Sequence, residues 1–90
     1  MDKETSLALI IGQQLKQLRK EHYPHDDQTA FGLRLGISKN TYSRIETGQA
    51  NPSLSVLVKL AALYDLEDRL AGLFVKPKPQ NLFDLRGKKQ

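Results

Sequence analysis

The chain has 90 residues, of which 39% are hydrophobic, so it forms at most one small domain with a modest core. It contains no cysteine, which excludes disulfides and cysteine-ligated zinc, and no apolar run approaches the 18 residues of a membrane span. The net charge of +4 comes from residues 76–90, which carry five basic residues and one acidic residue, whereas residues 1–75 carry nine of each. An anion-binding face on residues 1–75 would therefore require local segregation of charge.

The first predicted helix covers residues 5–21, because apolar side chains recur there with helical spacing, at Ala8, Ile11, Leu15 and Leu18. Pro24 ends it, since proline lacks an amide donor and disfavours helix in the preceding residue. The N-terminal stretch lacks the basic segment and uninterrupted apolar run of a signal peptide. We therefore expect a cytoplasmic protein.

Two short helices are predicted next. Asp27 is a good N-cap for the helix "QTAFGLRLG", whose inward residues would be Phe31 and Leu35 with Gly32 between them. Gly36 is predicted to end that helix in a left-handed conformation. The third helix is predicted between an N-cap at residue 38 and a C-cap at residue 48, with two apolar anchors, Tyr42 and Ile45.

A turn at residues 51–53 precedes the fourth helix, whose predicted inward stripe comprises Leu54, Leu57, Ala61 and Tyr64. A fifth short helix is predicted at 67–74. Residues 76–90 contain two prolines among their basic residues and are predicted to be extended or disordered. The sequence shows no strand alternation, so the predicted fold class is all-α, with five helices and a basic, proline-containing tail.

The second and third helices together have the pattern of a helix-turn-helix. A small residue, Gly32, lies where the third helix would cross the second, and Gly36 makes the turn. Ile37 and Tyr42 would hold the third helix on the core. The remaining polar face would then be able to enter a major groove, which is wide enough for a helix.

Residues 27–66 resemble the lambda-repressor-like (XRE-type) transcriptional regulators, and the resemblance extends back to residues 11–21. The motifs that carry it are a glutamine at the start of the second helix, "LGIS" at the turn, "SRIETG" at the end of the third helix, and "NPS" before the fourth. The resemblance implies a compact DNA-binding domain at 5–75, with the helix-turn-helix proper at 27–47.

The resemblance also implies residue roles. It assigns base contacts to four residues of the third helix, Lys39, Asn40, Ser43 and Arg44, of which Arg44 would reach either bases or a nearby phosphate. It also assigns a structural ion pair to Arg19 and Glu46. Phosphate contacts are predicted at Gln28, Ser38, Thr41, Asn51 and Ser53. The helix start at Ser53 offers free amides and a positive dipole end, which suit a phosphate. Lysine can donate to guanine, and asparagine can pair with adenine through two hydrogen bonds.

The sequence departs from the family pattern in three places. Gly32 stands where the family favours alanine, at a cost of about 1 kcal/mol in helix stability. Tyr42 replaces the usual β-branched aliphatic residue, and we expect its ring to be buried with the hydroxyl reaching the surface. The loop between the first two helices is about two residues longer than in phage repressors.

We predict a sequence-specific DNA-binding transcriptional regulator, a repressor that binds double-stranded DNA as a homodimer. A dimer seam is one interpretation of five apolar residues near the C-terminal end, Leu63, Leu66, Leu70, Leu73 and Phe74. The other is that the fifth helix folds back and covers them.

The alternative function is an antitoxin subunit that binds a protein toxin and autoregulates its operon. The tail, 76–90, would be a solvated terminus, a basic arm on DNA, or a docking segment for a protein partner.

No enzyme activity, cofactor or metal is predicted, and no contact with a membrane. Residues 22–27 contain a superficially metal-like set of side chains, His22, His25, Asp26 and Asp27. They lie in a proline-containing loop, and capping is the better role for Asp27. The sequence shows no arrangement of nucleophile, base and orienting group, and no glycine-rich phosphate loop.

Overall fold

A computed structural model describes the backbone of residues 3–77 and the side chains of residues 6–77. It contains five helices: α1 (Lys3–His22), α2 (Gln28–Leu35), α3 (Lys39–Glu46), α4 (Leu54–Tyr64) and α5 (Glu67–Ala71). No strand occurs within the described residues. The predicted all-α class and five-helix order are confirmed. Of the predicted tail at 76–90, residues 78–90 lie outside the described part of the chain.

The helix starts are set by short-range hydrogen bonds. The Asp27 carboxylate accepts from the amide of Ala30 at 2.8 Å, which caps α2. Ser38 and Ser53 cap α3 and α4 in the same way, each accepting an amide hydrogen bond at 3.1 Å. Gly36 ends α2 with φ 74°, the left-handed conformation that glycine adopts without steric cost. These predicted caps are confirmed.

Two helix ends differ from the prediction. Thr47 is the C-cap of α3, and Gly48, predicted to be that cap, lies one residue further on with φ 78°. The fifth helix ends at Ala71 rather than at residue 74. Gly72 follows it, and glycine is a poor helix former, so the short helix does not extend through it.

The core is built on α2 and α3. Phe31, Leu35 and Tyr42 are the largest fully buried side chains, and the rings of Phe31 and Tyr42 lie 5.1 Å apart in a tilted arrangement. The expectation that the Tyr42 hydroxyl reaches the surface is wrong. Within the described residues that hydroxyl is buried and lacks a hydrogen-bond partner of good geometry, although it lies beside Arg19 and Glu46.

The predicted inward stripes are wrong at two positions. Leu54 is 69% exposed, and the residues of α4 that are buried are Val56, Leu60 and Ala61. Because α4 is apolar almost all round, spacing alone could not decide which side faces the core. In α1, Leu15 is buried as predicted, but Ile11 is 39% exposed.

Two glycines allow the helices to approach closely. A Cβ atom on Gly12 of α1 would overlap the carbonyl oxygen of Glu46 at the end of α3. A Cβ on Gly32 would lie 2.9 Å from the carbonyl oxygen of Ile37, closer than such atoms approach in folded proteins. Gly32 therefore fulfils the predicted role of a small residue at the crossing, and α3 is packed tightly against both α1 and α2. None of the helices described here has both the length and the apolar character needed to cross a membrane.

Candidate nucleic-acid interface

Helix α3 divides into a buried side and an exposed side. Tyr42, Ile45 and Glu46 are buried. The polar row, defined as Lys39, Asn40, Ser43 and Arg44, lies on the other side, where Ser43 is half-buried and the other three are exposed. Within the described residues, the side chains of this row form no hydrogen bond or ion pair with the protein. Their donors and acceptors remain available to a ligand.

The first turn of α3 presents two hydroxyl groups to solvent. The Ser38 hydroxyl accepts from the Thr41 amide and donates to the Thr41 hydroxyl oxygen, both at 3.1 Å. Since a hydroxyl donates one proton, that of Ser38 is used within the turn. The proton of the Thr41 hydroxyl stays available to an outside acceptor such as a phosphate oxygen.

The start of α4 is similarly exposed. The Ser53 hydroxyl accepts from the Val56 amide as the N-cap, so its oxygen is partly committed to the helix. Asn51 is exposed two residues earlier. These two predicted phosphate-contact residues thus lie just before the start of α4, where unpaired amides and the helix dipole favour an anion.

Arg19 and Glu46 are brought together as a buried ion pair. The Arg19 Nε donates to Glu46 Oε2 at 2.7 Å, and Nη2 donates to Oε1 at 3.2 Å. Arg19 is 9% exposed and Glu46 4% exposed. The remaining Arg19 group, Nη1, donates to the backbone carbonyl of Asp26 at 3.1 Å. One guanidinium therefore joins α1, the loop before α2, and the end of α3.

Both members of the pair are charged near neutral pH. Burial alone would raise the pKa of Glu46, but the Arg19 guanidinium, the adjacent Tyr42 hydroxyl and the Gln28 amide together outweigh it and hold that pKa below its usual range. The hydrogen bond to Glu46 likewise raises the pKa of Arg19, against the opposing effect of burial. Burial, followed by the adjacent Glu46 carboxylate, raises the pKa of Tyr42, so that residue stays neutral.

Gln28 is half-buried at the start of α2 and contacts the same pair. Its Nε2 donates to Glu46 Oε1 at 3.0 Å. The sequence predicted a phosphate contact for Gln28 and missed this hydrogen bond, since the two residues are 18 positions apart and no local pattern links them. The second N–H of the Gln28 amide has no partner within the described residues.

Charge is segregated along the chain. Residues 28–64 contain four basic residues and one acidic residue, Glu46, whose charge is compensated by Arg19. Arg34 pairs with Asp26 and also stacks over the Tyr23 ring at 4.4 Å. The other basic residues of this segment are Lys39, Arg44 and Lys59, and all are exposed. The segment that contains α2, α3 and α4 is therefore richer in basic than in acidic side chains.

Three of the four metal-like side chains near the first loop each make a separate structural contact. Asp26 pairs with Arg34, Asp27 caps α2, and the His22 ring packs against that of Tyr64 at 5.7 Å. Within residues 3–77, no three potential metal-ligating side chains come together.

Two other residues that position the interface escaped the sequence analysis. Gly12 fixes how closely α1 approaches the end of α3, and its position as an isolated glycine inside a helical pattern is the signal that could have revealed it. Lys59 of α4 donates from Nζ to the carbonyl oxygen of Leu35 at 3.3 Å, which adds a cation at the C-terminal end of α2. No sequence pattern indicates that second contact.

This arrangement, two short helices crossing at a glycine with the second one polar on its outer side, defines a helix-turn-helix protein. The sequence model of the helix-turn-helix family matches residues 15–69. The chain belongs to the XRE-type helix-turn-helix family, whose members are DNA-binding transcriptional regulators.

A similar curated protein is the uncharacterized HTH-type transcriptional regulator YobD of Bacillus subtilis (strain 168), 41% identical over 69 residues. The matched region covers 76% of this chain and 60% of that relative, so the chain spans less than two thirds of the relative's length. No solved structure matches the chain.

Proposed function

We propose that this protein is a cytoplasmic, sequence-specific DNA-binding transcriptional regulator that inserts α3 into the major groove of double-stranded DNA. The observation that carries the proposal is the division of α3. Its inner side is fixed by Tyr42, Ile45 and Glu46, while the polar row carries two cations and makes no side-chain hydrogen bond or ion pair within the described protein. A helix anchored in this way can present side chains to base edges without rearranging the core.

The chemistry of the polar row suits direct base readout. Lys39 and Arg44 can donate to the O6 and N7 acceptors of guanine, and Asn40 can both donate to and accept from adenine. The Ser43 hydroxyl can both donate and accept, so it can contact either type of base edge. Because this side chain is short and half-buried, the contact requires a close approach of α3 to the groove. We assign base contacts to these four residues.

Phosphate contacts would set the register of α3 without reading sequence. We assign them to five residues near helix starts, Gln28, Ser38, Thr41, Asn51 and Ser53, where the Ser38 hydroxyl would turn its proton from Thr41 to the phosphate. The available Gln28 N–H, the Thr41 hydroxyl proton and the amides at the start of α4 are the donors that support this assignment. Contacts on both sides of α3 would clamp the DNA backbone across one groove.

We further propose that the regulator acts as a homodimer and as a repressor. A single short recognition helix reads few base pairs, and symmetric dimers extend the site to two half-sites about one helical turn apart. An apolar groove between α1, α4 and α5, lined by Ile11, Leu57, Leu70 and Leu73, supports a contact between two copies. A dimer bound across a promoter would repress by occupying it.

A second candidate function, an antitoxin that binds a protein toxin, draws on a different observation. Leu73, Phe74 and Val75 follow α5 and are largely exposed, with Phe74 at 92%. Consecutive exposed apolar side chains are typical of surfaces that bind another protein. They lead directly into the basic residues of the tail, where a protein partner or DNA would find further contacts.

Selection from randomised DNA duplexes at two salt concentrations tests the proposal. We expect a palindromic sequence whose enrichment survives the higher salt. On that duplex, Lys39→Ala and Arg44→Ala should each weaken binding about 5- to 100-fold, the range for one lost base contact. Their circular dichroism should remain that of the parent protein.

Lys16→Ala is the matched control, since it removes one exposed cation from α1, outside the proposed interface. It should change affinity by less than about twofold, because a distant exposed charge is screened. If the Lys39 and Arg44 variants bind as tightly as the parent, the assignment of α3 is wrong. Weak binding without sequence preference, lost as salt rises, would point to the tail and to a protein partner.

A further inference from the structure

Three helices meet at one hydrogen-bonded cluster, formed by Arg19 of α1, Gln28 of α2 and Glu46 of α3. Both oxygens of the Glu46 carboxylate accept from Arg19, and Oε1 also accepts from the Gln28 amide at 3.0 Å. Glu46 and Arg19 are buried, whereas Gln28 is half-buried. The cluster therefore extends from the core to the surface where α2 starts.

The hydrogen bond from Gln28 helps to stabilise the buried Glu46 carboxylate, but neither the ion pair nor the helix start depends on it alone. The ion pair is already complete through two Arg19 hydrogen bonds, and the start of α2 is already capped by Asp27. The hydrogen bond to Glu46 restricts the conformation of the long Gln28 side chain. A glutamine side chain has three rotatable torsions and loses that freedom when it binds a ligand. Here one amide N–H is held by Glu46, which restricts where the other can point.

We propose that Glu46 is a positioning residue for DNA binding: it holds the Gln28 amide in the orientation that donates its second N–H to a DNA phosphate. This inference rests on the proposed function and adds to it the residue that prepares the phosphate contact. Arg19 has a double role in the arrangement. It orients the Glu46 carboxylate through a two-point contact and compensates a negative charge that would otherwise repel the phosphate.

A double-mutant cycle on DNA affinity tests this positioning role. The four proteins are the parent, Gln28→Ala, Glu46→Gln and the double variant, titrated against the selected duplex at low temperature, where circular dichroism shows each to be folded. Glutamine matches glutamate in size, but its amide must satisfy donors from both Arg19 and Gln28 with one oxygen. The substitution also removes one negative charge from the protein, which by itself would tighten DNA binding.

The positioning role predicts that Glu46→Gln weakens binding about fivefold in the parent and less than about twofold in the Gln28→Ala background, since the residue to be positioned is then missing. Equal losses in both backgrounds would show a purely structural pair and overturn the inference. Unchanged or tighter binding of the single variant would overturn it as well. If Glu46→Gln does not fold, Glu46→Asp takes its place, since it keeps the charge and withdraws the carboxylate from Gln28.

The same titrations separate this inference from the proposed function. If Lys39→Ala still weakens binding while the Gln28 and Glu46 effects are additive, DNA reading by α3 stands and the positioning role fails. If the parent selects no duplex, or Lys39→Ala has no effect, the proposed function fails and the positioning role fails with it.

Discussion

Gly12 determines how closely two helices of this domain approach each other. A Cβ atom at this position would overlap the carbonyl oxygens of Ile45 and Glu46, which belong to the backbone at the end of α3. Backbone atoms cannot turn aside as the tip of a flexible side chain can. A larger residue at position 12 must therefore push α1 away from α3, and Arg19, two turns further along α1, would be pulled from Glu46.

We expect Gly12→Ala to lower the free energy of unfolding by about 1–3 kcal/mol, the usual cost of overpacking, despite alanine's better helix propensity. Urea denaturation monitored by circular dichroism measures this free energy. Gly72→Ala is the matched control, because the nearest atom to its added Cβ lies at 3.4 Å, an ordinary contact. That control should stay within about 0.5 kcal/mol of the parent. An equal, small effect at both glycines would mean that α1 and α3 are less tightly packed.

Residues with local roles were predictable from the sequence, and residues with long-range roles were not. Asp27, Ser38 and Ser53 act on amides three positions away, so their identity and spacing indicate a cap. The hydrogen bond between Gln28 and Glu46 depends on how α2 and α3 are oriented in space. The Arg19–Glu46 pair was expected through the family resemblance, without which two charges 27 positions apart would have remained unrelated.

At the scale of the elements, the clearest error concerns which side of α4 faces the core. Its sequence, LSVLVKLAALY, offers apolar residues on every side, and the predicted stripe began at a residue that is exposed. The packing of α4 against α2 selects Val56 and Leu60 instead. The existence and order of the helices, by contrast, followed from their caps and from the proline and glycine residues between them.

A pair of substitutions in α4 checks this assignment. Leu60→Ala should lower the free energy of unfolding by about 2–5 kcal/mol, because the side chain is 5% exposed and its removal leaves a cavity. Leu54→Ala should change it by less than about 0.5 kcal/mol, since Leu54 is mostly exposed. Thermal or urea denaturation of the two variants gives the comparison. Similar losses in both would mean that the side of α4 at Leu54 is covered in solution, as in a dimer.

At the scale of the whole molecule, stability is linked to pH through the buried carboxylate. The pKa of Glu46 lies below its usual range, so the folded state binds a proton there less readily than the unfolded state does. Stability from this group is therefore fully present above the ordinary glutamate pKa of 4.5 and is lost as pH falls through the lower, folded value. The pKa of Asp26 is also lowered, chiefly by its hydrogen bond to Arg34, so this carboxylate likewise contributes stability that is lost as pH falls.

We expect the free energy of unfolding to fall as pH is lowered below about 4.5. The fall should be shallower in Glu46→Gln, which has no carboxylate to titrate at that position. Asp26→Asn serves as the comparison, and because Asp26 lies nearer the solvent, its removal should flatten the curve less. Urea denaturation from pH 7 to pH 2.5 measures the three curves. Parallel curves for the parent and Glu46→Gln would show that this pair does not govern acid stability.

The division of α3 into an anchored and an unanchored side has an evolutionary consequence. Because Lys39, Asn40 and Arg44 make no side-chain hydrogen bond or ion pair within the described protein, replacing them should cost the fold little. Under the proposed function, base preference then depends on residues that contribute little to thermostability, whereas Glu46 would serve both the fold and DNA binding. A lineage could drift between operator sequences without passing through poorly folded intermediates, and an engineer could retarget the domain on the same scaffold.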